Sequence, residues 1–210
     1  MRLHWMRRLS AILLLAALLV WTGCESDTPD APDETDDPDP VVDADFAAFW
    51  SYLSDDCGSA YEGVVIEKPE GDDQLSEDAE LEMHIRECDD EELRIPLHVL
   101  EPDADEWNRS RTWVLMPHEE GLELRHDHRY SDGEEEETSW YGQVSSDAVD
   151  EYTVEFLDPE TQSGWRIEID PGERFTYGTY SNDSWGYRLD FDLTEPIDPP
   201  PAPWGFEDDA

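Results

Sequence analysis

Residues 81–99 read LEMHIRECDDEELRIPLHV, and this stretch decides the fold class. On each side of the acidic run DDEE, every second residue is apolar. The apolar positions are Leu81, Met83, Ile85, Leu93, Ile95, Leu97 and Val99. A period of two is typical of strands that bury one face of a sheet. The stretch therefore predicts two antiparallel strands, and Pro96, which has no backbone N–H, predicts an edge or a bulge in the second.

The same alternation continues through the chain, with turn residues between the apolar runs. Ten strands are predicted, at 61–66, 81–88, 93–99, 111–116, 122–130, 139–143, 152–157, 165–169, 175–180 and 185–193. A short helix precedes them, because apolar residues recur at helical spacing from Phe46 to Leu53, with Asp45 available as a cap. Consecutive antiparallel strands must close on themselves or pack as two sheets. We predict an all-β fold, an antiparallel up-and-down barrel in preference to a barrel-like sandwich, with about 8–10 strands.

The first 23 residues have the features of a signal peptide. Arginines precede an apolar run of about a dozen residues, which is too short for a helix that spans a bilayer. Thr22 and Gly23 before Cys24 resemble the bacterial lipobox, in which the cysteine is acylated. We expect anchoring to the cell envelope through Cys24, with Glu25 favouring the outer membrane; plain secretion is the alternative.

Four segments are predicted along the chain. Residues 1–23 form the signal peptide, 24–45 the lipidated cysteine and a disordered acidic tether, 46–195 the barrel, and 196–210 a proline-rich tail. The tether has too few apolar residues to fold. The tail is extended polyproline chain, which we expect to fold back over one end of the barrel; a ligand for a proline-binding groove is the alternative.

The charge is strongly negative, at −43 for the whole chain. All 56 acidic residues follow Cys24 whereas three of the 13 basic ones precede it, so the mature chain carries −46. Nucleic acid is excluded as a partner, because phosphates are repelled, and membrane contact is left to the lipid anchor. Such an excess of carboxylates with one lysine, Lys68, resembles proteins of salt-loving microbes and implies salt-dependent folding.

Cys57 and Cys88 are the two cysteines that follow Cys24. An exported chain meets an oxidising compartment, which predicts a disulfide between them. Two buried thiols, or half of a metal site, are the alternatives, although the spacing matches no zinc pattern.

The segment 122–130 carries the candidate site. Alternation places five residues on one face: Leu122, Leu124, His126, His128 and Tyr130. Since the leucines should face inward, the histidines should face the barrel interior, about 7 Å apart at their Cα atoms. That spacing suits a shared zinc with a third ligand from a neighbouring strand. His84 or His98 could be that ligand only if its polar face turned inward, and Asp127 on the opposite face would be a support. The alternative is a pair of hydrogen-bonded core histidines.

Aromatic residues in the predicted strands would pack the interior or line a ligand cavity. The candidate ligand-binding residues are His126, His128, Tyr130, Trp113 and Trp140. No hydrolase, nucleotide-binding or metalloprotease motif occurs, and no cofactor is expected. The first hypothesis is a non-enzymatic barrel that binds a small apolar ligand or serves as an interaction module. The alternatives are a metal-binding protein or metal-dependent hydrolase that uses the two histidines, and a purely structural envelope protein.

Several short segments together carry a family resemblance. They are SRTW at 110–113, GL at 121–122, HDHR at 126–129, DG at 132–133, YG at 141–142, FDL at 191–193 and PPAPWG at 200–205. The set is similar to an uncharacterised family of exported bacterial proteins and covers most of residues 46–206. This resemblance implies a place in the envelope and no particular reaction. In length and strand rhythm the barrel also resembles lipocalin-like binding proteins.

Overall fold

A computed structural model of the protein describes residues 42–206. The predicted signal peptide, the lipidation of Cys24 and the tether up to residue 41 lie outside the described residues. Within 42–206, no helix is long and apolar enough to cross a membrane.

A short helical segment opens the described chain. A 3-10 turn, Ala44–Phe46, runs into helix α1, Ala47–Asp55. The predicted apolar face is confirmed, since Phe46, Phe49, Trp50 and Leu53 are all buried. The cap differs from the expectation: the carboxylate of Asp43, not that of Asp45, accepts a hydrogen bond from a backbone N–H of the first turn.

Twelve strands follow, all antiparallel to their neighbours. They are β1 Ala60–Glu67, β2 Glu80–His84, β3 Glu87–Cys88, β4 Leu93–Leu100, β5 Asn108–His118, β6 Gly121–His128, β7 Tyr141–Ser145, β8 Thr153–Leu157, β9 Ser163–Asp170, β10 Arg174–Ser181, β11 Ser184–Trp185 and β12 Arg188–Asp192.

The sheet is a nearly closed barrel of ten strands, which confirms the predicted fold class. Its hydrogen-bonded order is β7-β6-β5-β4-β2-β1-β12-β10-β9-β8, with β3 and β11 as short additions. Apart from the short strands β3 and β11, strands that follow one another along the chain lie side by side, and β12 pairs with β1. The one opening is between β7 and β8, which lie side by side without a ladder. An up-and-down barrel leaves only these two edges unpaired.

The predicted strand 81–88 is broken into β2 and β3, and Pro96 explains the break. The Arg86 N–H donates to the Arg94 carbonyl, so the backbone groups of Arg94 point toward the segment that contains β2 and β3. Residues two apart in a strand point their backbone groups to the same side, so those of Pro96 face this segment too. Because Pro96 has no N–H, the ladder is interrupted there. The prediction of an irregularity is confirmed, but β4 is not an edge, since it pairs with β2 and β5.

The last predicted strand, 185–193, is also split. Asn182 and Asp183, with φ of 48° and 58°, form the tight turn between β10 and β11, as their sequence predicts. The chain then departs from the ladder at residues 186–187, because both N–H groups donate to Thr179, one to its carbonyl and one to its hydroxyl. This bulge turns Tyr187 toward the barrel mouth.

The predicted disulfide is confirmed. Cys57, just after α1, is bonded to Cys88 in β3, with 6.1 Å between the two Cα atoms. It ties the helix to the barrel wall.

Removing this disulfide should destabilise the protein. In the chain-entropy account, closing a span of 31 residues restricts the unfolded chain by about 3 to 4 kcal/mol. We expect the Cys57→Ser/Cys88→Ser variant to lose that much free energy of unfolding in urea titrations at constant salt. Reductant should lower the wild-type midpoint and leave the variant unchanged; equal midpoints for both oxidised proteins would contradict the prediction.

The proline-rich tail lies against the outer wall of β4, β5 and β6, not across an end of the barrel as expected. The Trp204 N–H donates to the Arg109 carbonyl, and the Arg109 guanidinium donates to the Ala202 carbonyl at 2.7 Å. A Cβ on Gly205 would come within 2.9 Å of the Gly133 carbonyl, so the tail and the 129–136 hairpin touch through their backbones. The HDHR, DG and PWG segments therefore meet at one place.

Beneath the tail lies an outer-wall cluster of Asp127, Arg94, Arg129 and Phe206. The Asp127 side chain is 0 % exposed, and its oxygens accept from Arg94 Nη1 at 3.2 Å and Arg129 Nε at 2.9 Å. The Phe206 ring lies 5.2 and 5.3 Å from the two guanidinium carbons. The buried carboxylate is thus neutralised from both sides, and the tail shields it from water.

Candidate ligand cavity

The barrel has a closed end and an open mouth. Helix α1 covers the closed end: Phe46 lies beside Gly121 in the β5–β6 turn, and the Tyr52 hydroxyl accepts from the Gly172 N–H in the β9–β10 turn. The opposite end opens into a cavity of about 220 Å³. The loop between β1 and β2 reaches over this mouth, where the Lys68 ammonium donates to the Leu75 carbonyl at 2.7 Å.

The cavity wall is aromatic and aliphatic with a few polar groups. Its rings and apolar side chains are Leu75, Leu97, Val99, Trp113, Tyr141, Trp165, Tyr177, Tyr187 and Leu189. Its other lining residues are Gln74, Arg111, His126, His128 and Thr179. No Asp or Glu of residues 42–206 lines it, although the chain contains 56 of them.

Cross-strand pairing builds this wall in layers. From the mouth inward, β5 and β6 pair Arg111 with His128, Trp113 with His126, and Leu115 with Leu124. The predicted inward face of 122–128 is confirmed, since Leu122, Leu124 and His126 are buried and both histidines line the cavity. The polar layer is at the opening and the aromatic layer lies below it.

His126 is held neutral in a fixed orientation. Its Nδ1 is 3.1 Å from the Tyr141 carbonyl oxygen, which can only accept, so Nδ1 carries the proton. Nε2 then accepts from the Tyr177 hydroxyl at 2.5 Å. Burial lowers the pKa of His126 to about 4 and raises the pKa of Tyr177 well above its usual value, so both groups are uncharged at neutral pH.

The rings around His126 form a continuous aromatic surface. Tyr141 stacks on it at 4.7 Å between centroids, Trp165 lies at 4.6 Å, and Trp113 contacts Tyr177 at 4.1 Å. Locked side chains of this kind make a preformed wall with little rotamer entropy left to lose.

His128 lies nearer the opening. Its Nε2 is 3.2 Å from the Tyr141 hydroxyl, and burial followed by the charge of Arg111 lowers its pKa. The pKa of Tyr187 is raised to about 12, mainly by burial and then by the carboxylate of Asp72 in the β1–β2 loop. At neutral pH the lining therefore has a single formal charge, the guanidinium of Arg111.

Arg111 differs from the other arginines of residues 42–206 because its guanidinium forms neither an ion pair nor a hydrogen bond within them. Arg109 donates to a carbonyl oxygen. The arginines that pair with carboxylates are Arg86, Arg94, Arg125, Arg129, Arg166, Arg174 and Arg188.

The structure brings together three of the five candidate ligand-binding residues. His126, His128 and Trp113 line the cavity, whereas Tyr130 and Trp140 are 49 % and 42 % exposed and do not. Strand β6 ends at His128, so the alternation that placed Tyr130 inward stops before it. Trp140 has a φ of 60° and precedes β7, which begins two residues later than predicted.

The sequence places Trp165 and Tyr177 among the strand aromatics that would pack the interior or line a cavity, but it did not single them out, and Arg111 was not predicted as a site residue at all. A signal for Arg111 was present: it shares the alternate face of its strand with Trp113.

A zinc site on the two histidines stays a prediction. Within residues 42–206 no group of three or more His, Cys, Asp or Glu side chains is placed to hold a metal ion. Both ring nitrogens of His126 already have partners. His98, between the cavity residues Leu97 and Val99, faces the outer wall, and Asp127 is engaged by two arginines.

Comparison with known proteins returned no match to a family model, a curated protein or a solved structure.

Proposed function

We propose that this protein is a non-enzymatic binding protein that holds a small ligand in the mouth of its barrel. The observation that supports the proposal best is the cavity of about 220 Å³, which has a preformed aromatic wall and which no carboxylate of residues 42–206 lines. A dry cavity of about 150 Å³ is enough to take up benzene, so this one accommodates a single-ring compound with a short substituent. Ligand sites are typically concave and mostly apolar, with a few polar groups that orient the ligand.

The fixed, neutral state of His126 favours binding over catalysis by this histidine. A general base needs a free acceptor nitrogen and a pKa near the working pH. Nε2 of His126 is occupied by Tyr177, and the pKa of His126 is lowered to about 4. A metal-dependent hydrolase and a structural envelope protein are the alternatives, and no observed contact favours either.

We propose in addition that the protein is exported and anchored to the envelope, in the outer membrane, through Cys24, with residues 25–45 as a tether. The Cys57–Cys88 disulfide supports an oxidising compartment. We likewise propose that the chain belongs to an uncharacterised family of exported bacterial proteins. An anchored barrel on an acidic tether would stand off the membrane with its mouth accessible to solutes.

Ligand-detected NMR with a panel of single-ring compounds, neutral and charged, tests the binding function. At least one compound should bind to the wild type. Filling the cavity with Val99→Phe should abolish that binding at unchanged stability, since the added ring occupies existing space.

The matched control is Val64→Phe, which adds the same ring to the exposed outer face of β1. Val64→Phe should bind the compound as tightly as the wild type does. If Val99→Phe does not fold, Leu189→Phe replaces it, because Leu189 lines the same cavity. No binding by any compound, or binding that survives the filled cavity, rejects the proposal.

A further inference from the structure

We propose that the cavity is selective for a small aromatic carboxylate, with its ring in the aromatic layer and its carboxylate against Arg111. This inference rests on the proposed binding function and narrows it to one chemical class. Three features of the cavity support it: the charge of its wall, the guanidinium of Arg111 and the order of its layers.

The charge of the wall is opposite to that of the molecule. More than a quarter of the chain is Asp or Glu, yet none of the described acidic residues lines the cavity, and one arginine does. A surface field of this sign repels anions in general, so binding of an anion needs a local positive site that is shielded from the surrounding carboxylates. The mouth of the barrel provides one.

Arg111 has no partner within the chain that the structure describes. A guanidinium has five donors, and placing it in a cleft without an acceptor loses solvation that a carboxylate would restore through two parallel hydrogen bonds. Every other arginine of residues 42–206 has an oxygen partner within the protein. Arg111 is therefore placed to bind a ligand, whereas the others stabilise the fold.

The layers set the orientation of the ligand. Arg111 pairs with His128 at the opening, and Trp113 pairs with His126 one layer below. The aromatic layer, which includes Trp165 and Tyr177, stacks well on a flat ring. When Nε2–H of His128 donates to the Tyr141 hydroxyl, that hydroxyl is free to donate to a carboxylate oxygen. An aromatic acid would enter ring first.

An organic cation is the rival ligand, because aromatic walls also bind ammonium groups and the molecule is acidic. A cation would have to lie beside the Arg111 guanidinium with no carboxylate in the lining to offset the repulsion. Two carboxylates act on lining residues from outside the cavity: Asp72 of the covering loop on Tyr187, and Glu136, whose oxygen is 3.9 Å from Nδ1 of His128. Neither is among the described lining residues. The observations therefore favour the anion.

The test is an NMR titration at fixed salt with four probes: benzoate, benzamide, acetate and phenyltrimethylammonium. Benzoate should bind roughly tenfold to a hundredfold more tightly than benzamide, which has the ring without the charge, and than acetate, which has the charge without the ring. In Arg111→Gln, the affinity for benzoate should fall to that for benzamide, while benzamide binding is unchanged. Arg125→Gln removes the same charge from the outer wall, where Arg125 pairs with Glu123, and should bind benzoate like the wild type.

Each outcome separates this inference from the proposed function. Four results would overturn the selectivity for aromatic carboxylates while leaving the ligand-binding function in place. They are equal affinities for benzoate and benzamide, tighter binding of phenyltrimethylammonium than of benzoate, equal affinities for acetate and benzoate, and no effect of Arg111→Gln. Failure of all four probes together with the wider panel of single-ring compounds would overturn both.

Discussion

Replacing Asp127 with alanine is expected to lower the free energy of unfolding by about 3 to 5 kcal/mol. The side chain of Asp127 is 0 % exposed and accepts from both Arg94 and Arg129. Removing the carboxylate leaves two guanidinium groups beside each other under the Phe206 ring. The repulsion between them and the loss of charge-assisted hydrogen bonds should loosen the tail from the wall.

The matched control for Asp127→Ala is Glu123→Ala. Glu123 lies four residues before Asp127 on the same outward face of β6 and pairs with Arg125. This pair is more exposed, with 15 % of the Glu123 side chain and 30 % of the Arg125 side chain accessible to solvent. Solvent screens such a pair, so the variant should lose no more than about 1 kcal/mol. Urea unfolding at constant salt measures both variants. Equal losses would show that the outer-wall cluster is no more important to stability than a surface ion pair.

Acidification from pH 7 to 4.5 should destabilise the protein by about 2 to 3 kcal/mol for each of two histidines, His98 and His126. Both are nearly fully buried, at 1 % and 3 % exposure, and burial is the main cause that lowers the pKa of each to about 4. For His98, the positive charges of Arg109 and Arg86 and the neighbouring His84 lower the pKa further. For His126, the neighbouring His128 acts in the same direction, whereas its bond to the Tyr141 carbonyl opposes the shift.

The direction of the effect follows from proton binding. Between the unfolded pKa of about 6.5 and the folded pKa of about 4, the unfolded chain binds more protons than the folded one. Stability therefore falls as the pH falls through this window and changes little through these groups above it. Protonation would also remove the acceptor that His126 offers to Tyr177.

The variants His98→Gln and His126→Gln isolate this contribution, because the carboxylates titrate equally in all three proteins. Each variant should show a pH 7 to 4.5 stability loss smaller than that of the wild type by about 2 to 3 kcal/mol. Urea titrations at both pH values provide the measurement. The same pH dependence in the wild type and both variants would contradict the neutral, buried state of these histidines.

The inward faces were predictable from the sequence because a strand has only two sides. Once Leu122 and Leu124 are assigned to the core, His126 and His128 must face the same way, and the structure confirms this. The disulfide was predictable from the count of cysteines and the exported context. Both inferences use local rules that tertiary structure rarely overrides.

The site residues from other strands were not predictable in this way. Tyr177 and Trp165 reach His126 from β10 and β9, and that contact depends on the curvature and register of a barrel, which alternation does not specify. Tyr130 and Trp140 were misplaced because the strand boundaries were wrong by two residues. The position of the tail depends on contacts of Arg109 with Ala202 and of Arg129 with Phe206, which lie 93 and 77 positions later in the chain.

The lack of ion-pair partners for Arg111 is likewise a tertiary property. So acidic a sequence does not predict a cavity without carboxylates, and the folded barrel shows that no described Asp or Glu lines the cavity beside Arg111. The sequence identifies the chain as acidic, and the structure locates a cavity in the barrel mouth that no Asp or Glu of residues 42–206 lines.

Intermolecular nuclear Overhauser effects from a bound single-ring compound test the central claim, that the barrel mouth is the binding site. The ligand's ring protons should show contacts to the indole protons of Trp113 and Trp165 and to the ring of Tyr177. Contacts confined to the exposed rings of Tyr130 and Trp140 would place the ligand on the outside of the barrel and contradict binding in the mouth.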